Sequence, residues 1–153
     1  MSTEIRRYVN EDPALRPYQI KAPWAEAVEV PPNASLLFVS GQFPSMKDET
    51  ADPDAIESYG DTKQQTTSVL ATIQEILEDK GYVIGDIVKM WAYMRPDPRK
   101  GPDLDLEGFG DGYRQFFGDG TDGRPLPSRT RVEIRQLMSP AWLVEIEVIA
   151  AKT

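Results

Sequence analysis

Residues 127–151 read PSRTRVEIRQLMSPAWLVEIEVIAA, and this stretch predicts two strands joined by a turn at Ser139 and Pro140. Successive side chains of a strand point to opposite faces, so every second residue shares a face. In the first strand the charged set is Arg129, Arg131, Glu133 and Arg135, and the opposite set is Thr130, Val132 and Ile134. In the second strand Val144, Ile146 and Val148 lie opposite Glu145, Glu147 and Ile149.

The same alternation predicts how these strands are used. We expect the two strands to pair and their apolar sets to pack against helices, which places the charged sets on the uncovered face of a sheet. A charged strand face has an ordinary interpretation as solvated surface. The alternative is a reaction site, and two arginines near two carboxylates favour this stretch as its place.

The composition excludes several kinds of active site. The chain of 153 residues has no cysteine and no histidine. Disulfides, thiolate nucleophiles, serine–histidine triads and zinc sites built on cysteine or histidine are therefore excluded. Proton transfer is left to carboxylates, lysine, tyrosine, backbone or water, and an anionic substrate would be held by arginine, lysine or backbone amides.

Charge and hydropathy restrict the partners. The chain has 17 basic and 25 acidic residues, a net charge of −8, which argues against a nucleic-acid partner because such binding rests on clustered cations. No apolar run approaches the roughly 18 residues of a membrane span. The first residues, MSTEIRRYVNEDPALRPYQ, contain no apolar secretory region. We therefore expect a cytoplasmic protein without nucleic-acid or membrane partners.

The first half of the chain predicts strands followed by a helix. An edge strand is expected at 4–9, and strands at 24–30 and 36–39 are expected to form a hairpin in which LLFV is a buried central strand. Residues 42–60 are polar and predict a long surface loop. Asp61 and Gln64 have the spacing of a capping box, and the helix that follows is expected to end at Gly81.

The second half adds a strand at 87–94 and a second helix. The inward residues of that helix are expected to be Leu106, Phe109, Tyr113, Phe116 and Phe117, with Gly118 and Gly120 ending it. GDGTDG, residues 118–123, lacks the spacing of a calcium loop and predicts a turn. Trp91 and Tyr93 are interpreted as packing residues.

This order of elements predicts an α+β domain in which a mixed sheet carries two helices on one face. A single domain is expected over 1–153, with 1–22 as an N-terminal extension. Two helices cover only one face of the sheet. The other face must be exposed or covered by another subunit.

Several blocks in the same order resemble one known family. They are LLFVSGQFP at 36–44, a helix with Gln65 that ends ILEDKGY, GDIVKMWAYM at 85–94, GYRQFF at 112–117, and PSRTRVEIRQL followed by LVEIEVIA. Together they are similar to the Rid family of reactive-intermediate imine deaminases, also called the YjgF family. The resemblance covers residues 24–151, most of the chain.

The resemblance implies a homotrimer with a chorismate-mutase-like fold, in which the sheets form a central barrel and three sites lie between subunits. It also implies hydrolysis of an enamine or imine that carries a carboxylate, such as 2-aminoacrylate, to a 2-keto acid and ammonia. No metal and no organic cofactor is implied.

The family's site residues fall on specific positions of this sequence. Arg129 matches the arginine that clamps the substrate carboxylate, and Glu145 matches the glutamate that positions or activates the attacking water. Ser40 and Gly41 match the pair that lines the pocket. Arg131 stands where relatives supply a backbone amide from a small residue, and Trp24 stands where many have a tyrosine.

Two questions stay open at this point. A second arginine at 131 suits a dicarboxylate or a longer acid, and it equally suits an ion pair with Glu145 or Glu147. The protein as a whole is either a deaminase or a non-catalytic trimer that binds a small carboxylate as a sensor or partner.

Overall fold

The computed structural model describes residues 3–118 and 123–153. It confirms an α+β fold with two α-helices. The elements are β1 (Arg6–Tyr8), β2 (Ala27–Glu29), β3 (Ser35–Gln42), α1 (Thr62–Asp79), β4 (Ile87–Met94), α2 (Leu106–Arg114), β5 (Ser128–Glu133) and β6 (Val144–Lys152). The turn predicted at GDGTDG falls mostly on 119–122, outside the described residues.

The main sheet has the strand order β3-β6-β4-β5 and is mixed, because β4 pairs β5 in parallel and β6 antiparallel. The predicted pairing of the two C-terminal strands is wrong, since β4 lies between β5 and β6. The reason is the connection through α2, which returns the chain beside β4 in the parallel direction before β6 enters on its other side.

The predicted hairpin of residues 24–30 with 36–39 is also wrong. β2 pairs antiparallel with β1, and β3 pairs with β6. The Arg7 guanidinium fixes this small sheet to the domain by donating hydrogen bonds to the carbonyls of Gly85, Ile87 and Leu126. These contacts hold β1 against the domain, where it pairs with β2. Sequence spacing alone does not reveal this pairing.

The strand β3 is an edge strand, where a buried central strand was predicted. The side chains of its apolar run point alternately to the two faces of the sheet. Val39 is buried and Leu37 packs against the core, whereas Leu36 is 48% exposed and Phe38 is 70% exposed. An uninterrupted apolar run therefore arises here because the uncovered face of the sheet is itself apolar.

The core lies between the helices and one face of the sheet. The predicted capping box begins α1, with Asp61 accepting from Gln64 N–H. The fully buried side chains include Val69, Leu70, Ile73 and Leu77 of α1, Phe109 and Tyr113 of α2, Met90, Ala92 and Met94 of β4, and Val144 and Ile146 of β6. Leu106, predicted to point inward, is 49% exposed because it occupies the first turn of α2.

Within residues 3–118 and 123–153, neither helix combines the length and the apolar character that a membrane span needs.

Candidate functional site

The side chain of Arg129 lies on the helix-covered face of the sheet. Arg129 is the register partner of the fully buried Met90, so the two side chains share that face. This corrects the expectation that the charged set of β5 faces away from the helices. The uncovered face instead carries Thr130, whose hydroxyl accepts from Lys89, and Val132, which is 40% exposed.

Three aromatic rings surround the Arg129 guanidinium. Its Cζ lies 4.4 Å from the ring centroid of Tyr113, 4.6 Å from that of Trp24 and 5.4 Å from that of Phe109. A cation over an aromatic face gains roughly 0.5–2 kcal/mol per contact, more where water is excluded. The rings come from two places, because α2 supplies Phe109 and Tyr113 and the segment before β2 supplies Trp24. They hold the cation inside the protein without neutralising it.

The electrostatics of this position favour an anion. The pKa of Arg129 is lowered to about 10, chiefly by burial and also by the charges of Arg131 and Arg114, against the opposing effect of Tyr113. The group stays protonated at neutral pH. No ion pair in the part of the chain that the structure describes includes Arg129. A half-buried cation without a carboxylate partner is unfavourable, so an anionic ligand would relieve it.

Arg131 lies beside Arg129 on the same face, two residues further along β5. It is the register partner of the buried Ala92, and its Cζ lies 5.3 Å from the ring centroid of Phe109. Burial lowers the pKa of Arg131 also. We call the group formed by Trp24, Phe109, Tyr113, Arg129 and Arg131 the arginine cluster.

Glu145 lies on the opposite, uncovered face of the sheet. Its register partner on β4 is Tyr93, and the Tyr93 hydroxyl donates to Glu147 at 2.9 Å. The Glu145 carboxylate lies over Gly41, where a Cβ atom would collide with Oε1. Burial raises the pKa of Glu145, and the charge of Glu147 raises it further. We call Gly41, Tyr93, Glu145 and Glu147 the acidic strip.

Ser40 belongs with the acidic strip. It lines a groove of about 360 Å³ on the uncovered face with Phe38, Trp91, Glu147 and Ile149, and with the backbone neighbours Val39 and Val148. Ser40 and Gly41 are thus at the β3 edge of the sheet, whereas Arg129 is at the β5 edge.

The structure therefore groups the predicted site residues into two sets. Trp24, Arg129 and Arg131 come together on the helix-covered face, and Ser40, Gly41 and Glu145 come together on the uncovered face. The sheet separates the sets within one protomer, so the ion pair considered between Arg131 and Glu145 or Glu147 does not form there.

Two residues of the arginine cluster were predicted only as core. Phe109 and Tyr113 have the four-residue spacing of an inward helix face, and both are fully buried. Their second role, as ring partners of an arginine, follows from the parallel pairing of β4 with β5. No motif in α2 marks it.

A metal site is not formed by acidic side chains in residues 3–118 and 123–153, where no group of three or more Asp or Glu side chains is arranged to hold an ion.

Comparison with known proteins gives one consistent family. The family model described as Endoribonuclease L-PSP matches residues 15–152. A RutC family protein of Pyrococcus horikoshii is 33% identical over 132 residues, which are 85% of this chain and 87% of that protein. TdcF of Escherichia coli, which carries the name of a reactive intermediate deaminase, is 28% identical over 132 residues, 86% of this chain and 88% of TdcF.

Solved structures agree with the sequence relatives. The Rid family protein YyfB from Yersinia pestis has a TM-score of 0.68 at 22% identity, covering 97% of this chain and 98% of that one. Escherichia coli TdcF with bound serine has a TM-score of 0.59 at 26% identity, covering 87% and 94%. The match across 138 residues (15 to 152 inclusive), the relatives and the shared fold together show that this chain belongs to the Rid family, also called the YjgF or RutC family.

Proposed function

We propose that this protein hydrolyses enamine or imine intermediates that carry a carboxylate, giving a 2-keto acid and ammonia. The observation that carries the proposal is the Arg129 guanidinium, which is charged, enclosed by three aromatic rings and without an ion-pair partner among the described residues. Its planar fork makes two charge-assisted hydrogen bonds to one carboxylate. The name of TdcF supports the same activity, and TdcF with bound serine is a relative that holds a small carboxylate.

The chemistry requires little from the protein beyond orientation. The carbon of a protonated imine is already electrophilic, so fixing the carboxylate and one water in line supplies much of the acceleration. Glu145 accepts a proton as the water oxygen bonds to that carbon, and it returns the proton to the nitrogen. The C–N bond then breaks, ammonia leaves with the electron pair, and Glu145 accepts the hydroxyl proton as the keto group forms and passes it to the departing ammonia.

The raised pKa of Glu145 suits this role. A carboxyl group whose pKa lies nearer neutrality accepts and returns protons more effectively than an ordinary surface carboxylate. It must be ionised to begin the reaction, and the positive charge of a neighbouring arginine would favour the ionised form.

We infer that the complete site needs two protomers. Arg129 is at the β5 edge on one face and Glu145 is near the β3 edge on the other, so one chain does not bring them together. A cyclic arrangement in which the β3 edge of one protomer meets the β5 edge of the next would do so. We propose a homotrimer whose uncovered sheet faces form a central barrel, with three sites between subunits. The exposed Leu36, Phe38 and Val132 support burial of that face.

The deaminase proposal is tested with 2-iminopropionate made in the assay by an amino acid oxidase acting on alanine. Semicarbazide competes with the protein for the imine, so hydrolysis appears as loss of the semicarbazone. We expect Arg129→Ala to lower the catalysed rate roughly a hundredfold or more, because charge-assisted hydrogen bonds are lost. Arg135→Ala removes an exposed arginine nearby and should leave the rate unchanged.

Turnover that Arg129→Ala leaves unchanged would refute the role of Arg129 as the carboxylate clamp, which is the observation behind the proposal, and absence of turnover in the unmodified protein would refute the deaminase activity. The second candidate is a non-catalytic protein that binds a small carboxylate, and one observation favours it: the arginine cluster is complete in a single protomer without Glu145. Pyruvate binding that is lost in Arg129→Ala, together with no turnover by the unmodified protein, would establish that candidate.

The description Endoribonuclease L-PSP names an activity on RNA. The net charge of −8 opposes such a substrate, because RNA binding gains affinity from neutralised phosphates. We propose no nucleic-acid partner and expect no cleavage of a mixed-sequence RNA at physiological salt.

A further inference from the structure

We infer that the site selects imines of dicarboxylic acids, with Arg129 holding the carboxylate beside the imine carbon and Arg131 holding the second carboxylate at the far end of a four- or five-carbon chain. The inference rests on the proposed function and names its substrate class.

The geometry of β5 supports two anion contacts on one face. Arg129 and Arg131 are two positions apart, about 7 Å along the strand. Both guanidinium groups lie over Phe109, with Cζ 5.4 Å and 5.3 Å from its ring centroid. One ring thus contacts both cations on the same face of the sheet. Two planar forks on a common support match a rigidly spaced pair of carboxylates.

The structural alternative for Arg131 fails within the protomer. An arginine kept for stability would pair with a carboxylate, and Glu145 and Glu147 were the expected partners. Both project from the other face of the sheet. Among residues 3–118 and 123–153 no ion pair includes Arg131.

The electrostatics around Arg129 and Arg131 favour two negative charges over one. Arg114 adds to the positive field at Arg129, and it is paired with Asp111 at 3.0 Å. A monocarboxylate would neutralise Arg129 and leave Arg131 half-buried beside it. A dicarboxylate gives each guanidinium an anionic partner, which removes the mutual repulsion of the pair.

Gly110 leaves space for the side chain of Arg114, the last residue of α2. A Cβ atom at Gly110 would lie 3.2 Å from the Arg114 guanidinium, tighter than most such contacts. The absence of a side chain at 110 leaves room for the Arg114 guanidinium, whose positive charge is largely offset by its ion pair with Asp111.

The first part of the test measures binding of unreactive acids, so it does not depend on turnover. Calorimetric titrations compare succinate with propionate and 2-oxoglutarate with pyruvate. For the unmodified protein we expect each dicarboxylate to bind on the order of tenfold more tightly or better, the value of one added charge-assisted contact. Arg131→Ser should abolish this advantage, so that the ratio of dicarboxylate to monocarboxylate affinity falls to about one.

Two further variants define the cause. Arg131→Lys keeps the charge but loses the fork, so it should retain an intermediate preference. Arg135→Ser removes an exposed arginine and should behave like the unmodified protein. Thermal unfolding and the mass of the assembly are measured for each variant. Equal affinity for both acids in the unmodified protein would overturn the inference. The inference would also be overturned if Arg131→Ser weakened the assembly but kept the preference for dicarboxylates.

The second part measures hydrolysis of the imines made from alanine, aspartate and glutamate. Hydrolysis of all three at the same efficiency, unchanged in Arg131→Ser, would overturn the dicarboxylate inference and leave the proposed deaminase function intact. Selective dicarboxylate binding without hydrolysis of any imine would overturn the deaminase function and support the inference about the ligand. Preferential hydrolysis of the aspartate and glutamate imines, lost in Arg131→Ser, supports both.

Discussion

The two edges of the main sheet carry side chains of opposite charge. At the β5 edge the arginine cluster holds two cations under α2, on the covered face, among aromatic rings. At the β3 edge the acidic strip holds Glu145 and Glu147 on the uncovered face, over a glycine and beside a tyrosine hydroxyl. Within one protomer these arginines and glutamates lie on opposite faces of the sheet, so among the described residues they form no ion pair with each other. This separation is the reason for proposing a site that two protomers share.

The largest expected effect comes from dividing this arrangement between subunits. Arg129→Ala and Glu145→Gln should each lose most activity, roughly a hundredfold for the arginine variant. Mixed in equal amounts, unfolded and refolded together, they should regain activity at about one quarter of the sites, since a cyclic trimer then joins an intact Arg129 to an intact Glu145 in that fraction.

The control for this experiment is the pair of separately refolded variants, combined only afterwards. Those samples should stay inactive. Failure of the co-refolded mixture to gain activity, when mass measurement shows mixed trimers, would contradict a site shared between protomers.

The second prediction disturbs only the acidic strip. Gly41→Ala places a Cβ atom against the Glu145 carboxylate, which must move away. Displacing a positioned group by about 1 Å lowers turnover on the order of tenfold to a hundredfold. Pyruvate binding at the arginine cluster should not change, so kcat falls while affinity is kept.

Gly85→Ala is the matched control. Its Cβ atom would meet Pro125 at 3.4 Å, an ordinary contact, so turnover should be normal. Loss of pyruvate affinity in Gly41→Ala, measured by calorimetry, would show that the acidic strip also contributes to carboxylate binding and would contradict this division of roles.

The third prediction disturbs only the arginine cluster. Trp24→Leu removes the ring whose centroid lies 4.6 Å from the Arg129 Cζ. One cation–π contact contributes about 0.5–2 kcal/mol, so a several-fold loss of carboxylate affinity is expected. Trp24→Tyr keeps an aromatic face and should retain most of the affinity. Equal loss in both variants would assign the role of Trp24 to its volume or its N–H group.

The sequence predicted best what is local. The capping box of Asp61 and Gln64 starts α1 as expected, because both groups lie within one turn. β4 covers Ile87–Met94 as predicted, since a buried strand with helices on one side keeps a regular alternation. The general fold followed from the number and order of such elements.

The predictions that were wrong concern contacts between distant parts of the chain. Alternation in β5 showed correctly that Arg129 and Arg131 share a face, but not which face the helices cover. Core faces are usually apolar, so the arginines were assigned to the other side. The exception arises because α2 presents Phe109 and Tyr113 there, and aromatic faces accept a guanidinium where aliphatic side chains would not.

Pairing errors have the same origin. β2 and β3 were joined as a hairpin because they are neighbours in sequence. Arg7, about 80 residues from its carbonyl partner on Ile87 and over 100 from Leu126, anchors β1 where it takes β2 as its partner. No local sequence pattern at Arg7 distinguishes an arginine that makes such long-range hydrogen bonds from an ordinary surface arginine.

The smallest expected effect concerns the pH profile of the acidic strip. Burial and the charge of Glu147 raise the pKa of Glu145, so the ionised form is lost, and activity falls, as pH drops through a value above that of an ordinary glutamate. Glu147→Gln removes one cause of the shift. The pKa of Glu145 should fall, and the acid limb of kcat should move to lower pH, with the arginine cluster unaffected. Tyr93→Phe is the control, because it deletes the hydrogen bond to Glu147 and keeps the Glu147 charge, so the limb should not move to lower pH. An acid limb that stays in place in Glu147→Gln would show that Glu145 is not the group whose ionisation limits the reaction, and the proton transfer would have to be assigned elsewhere in the site.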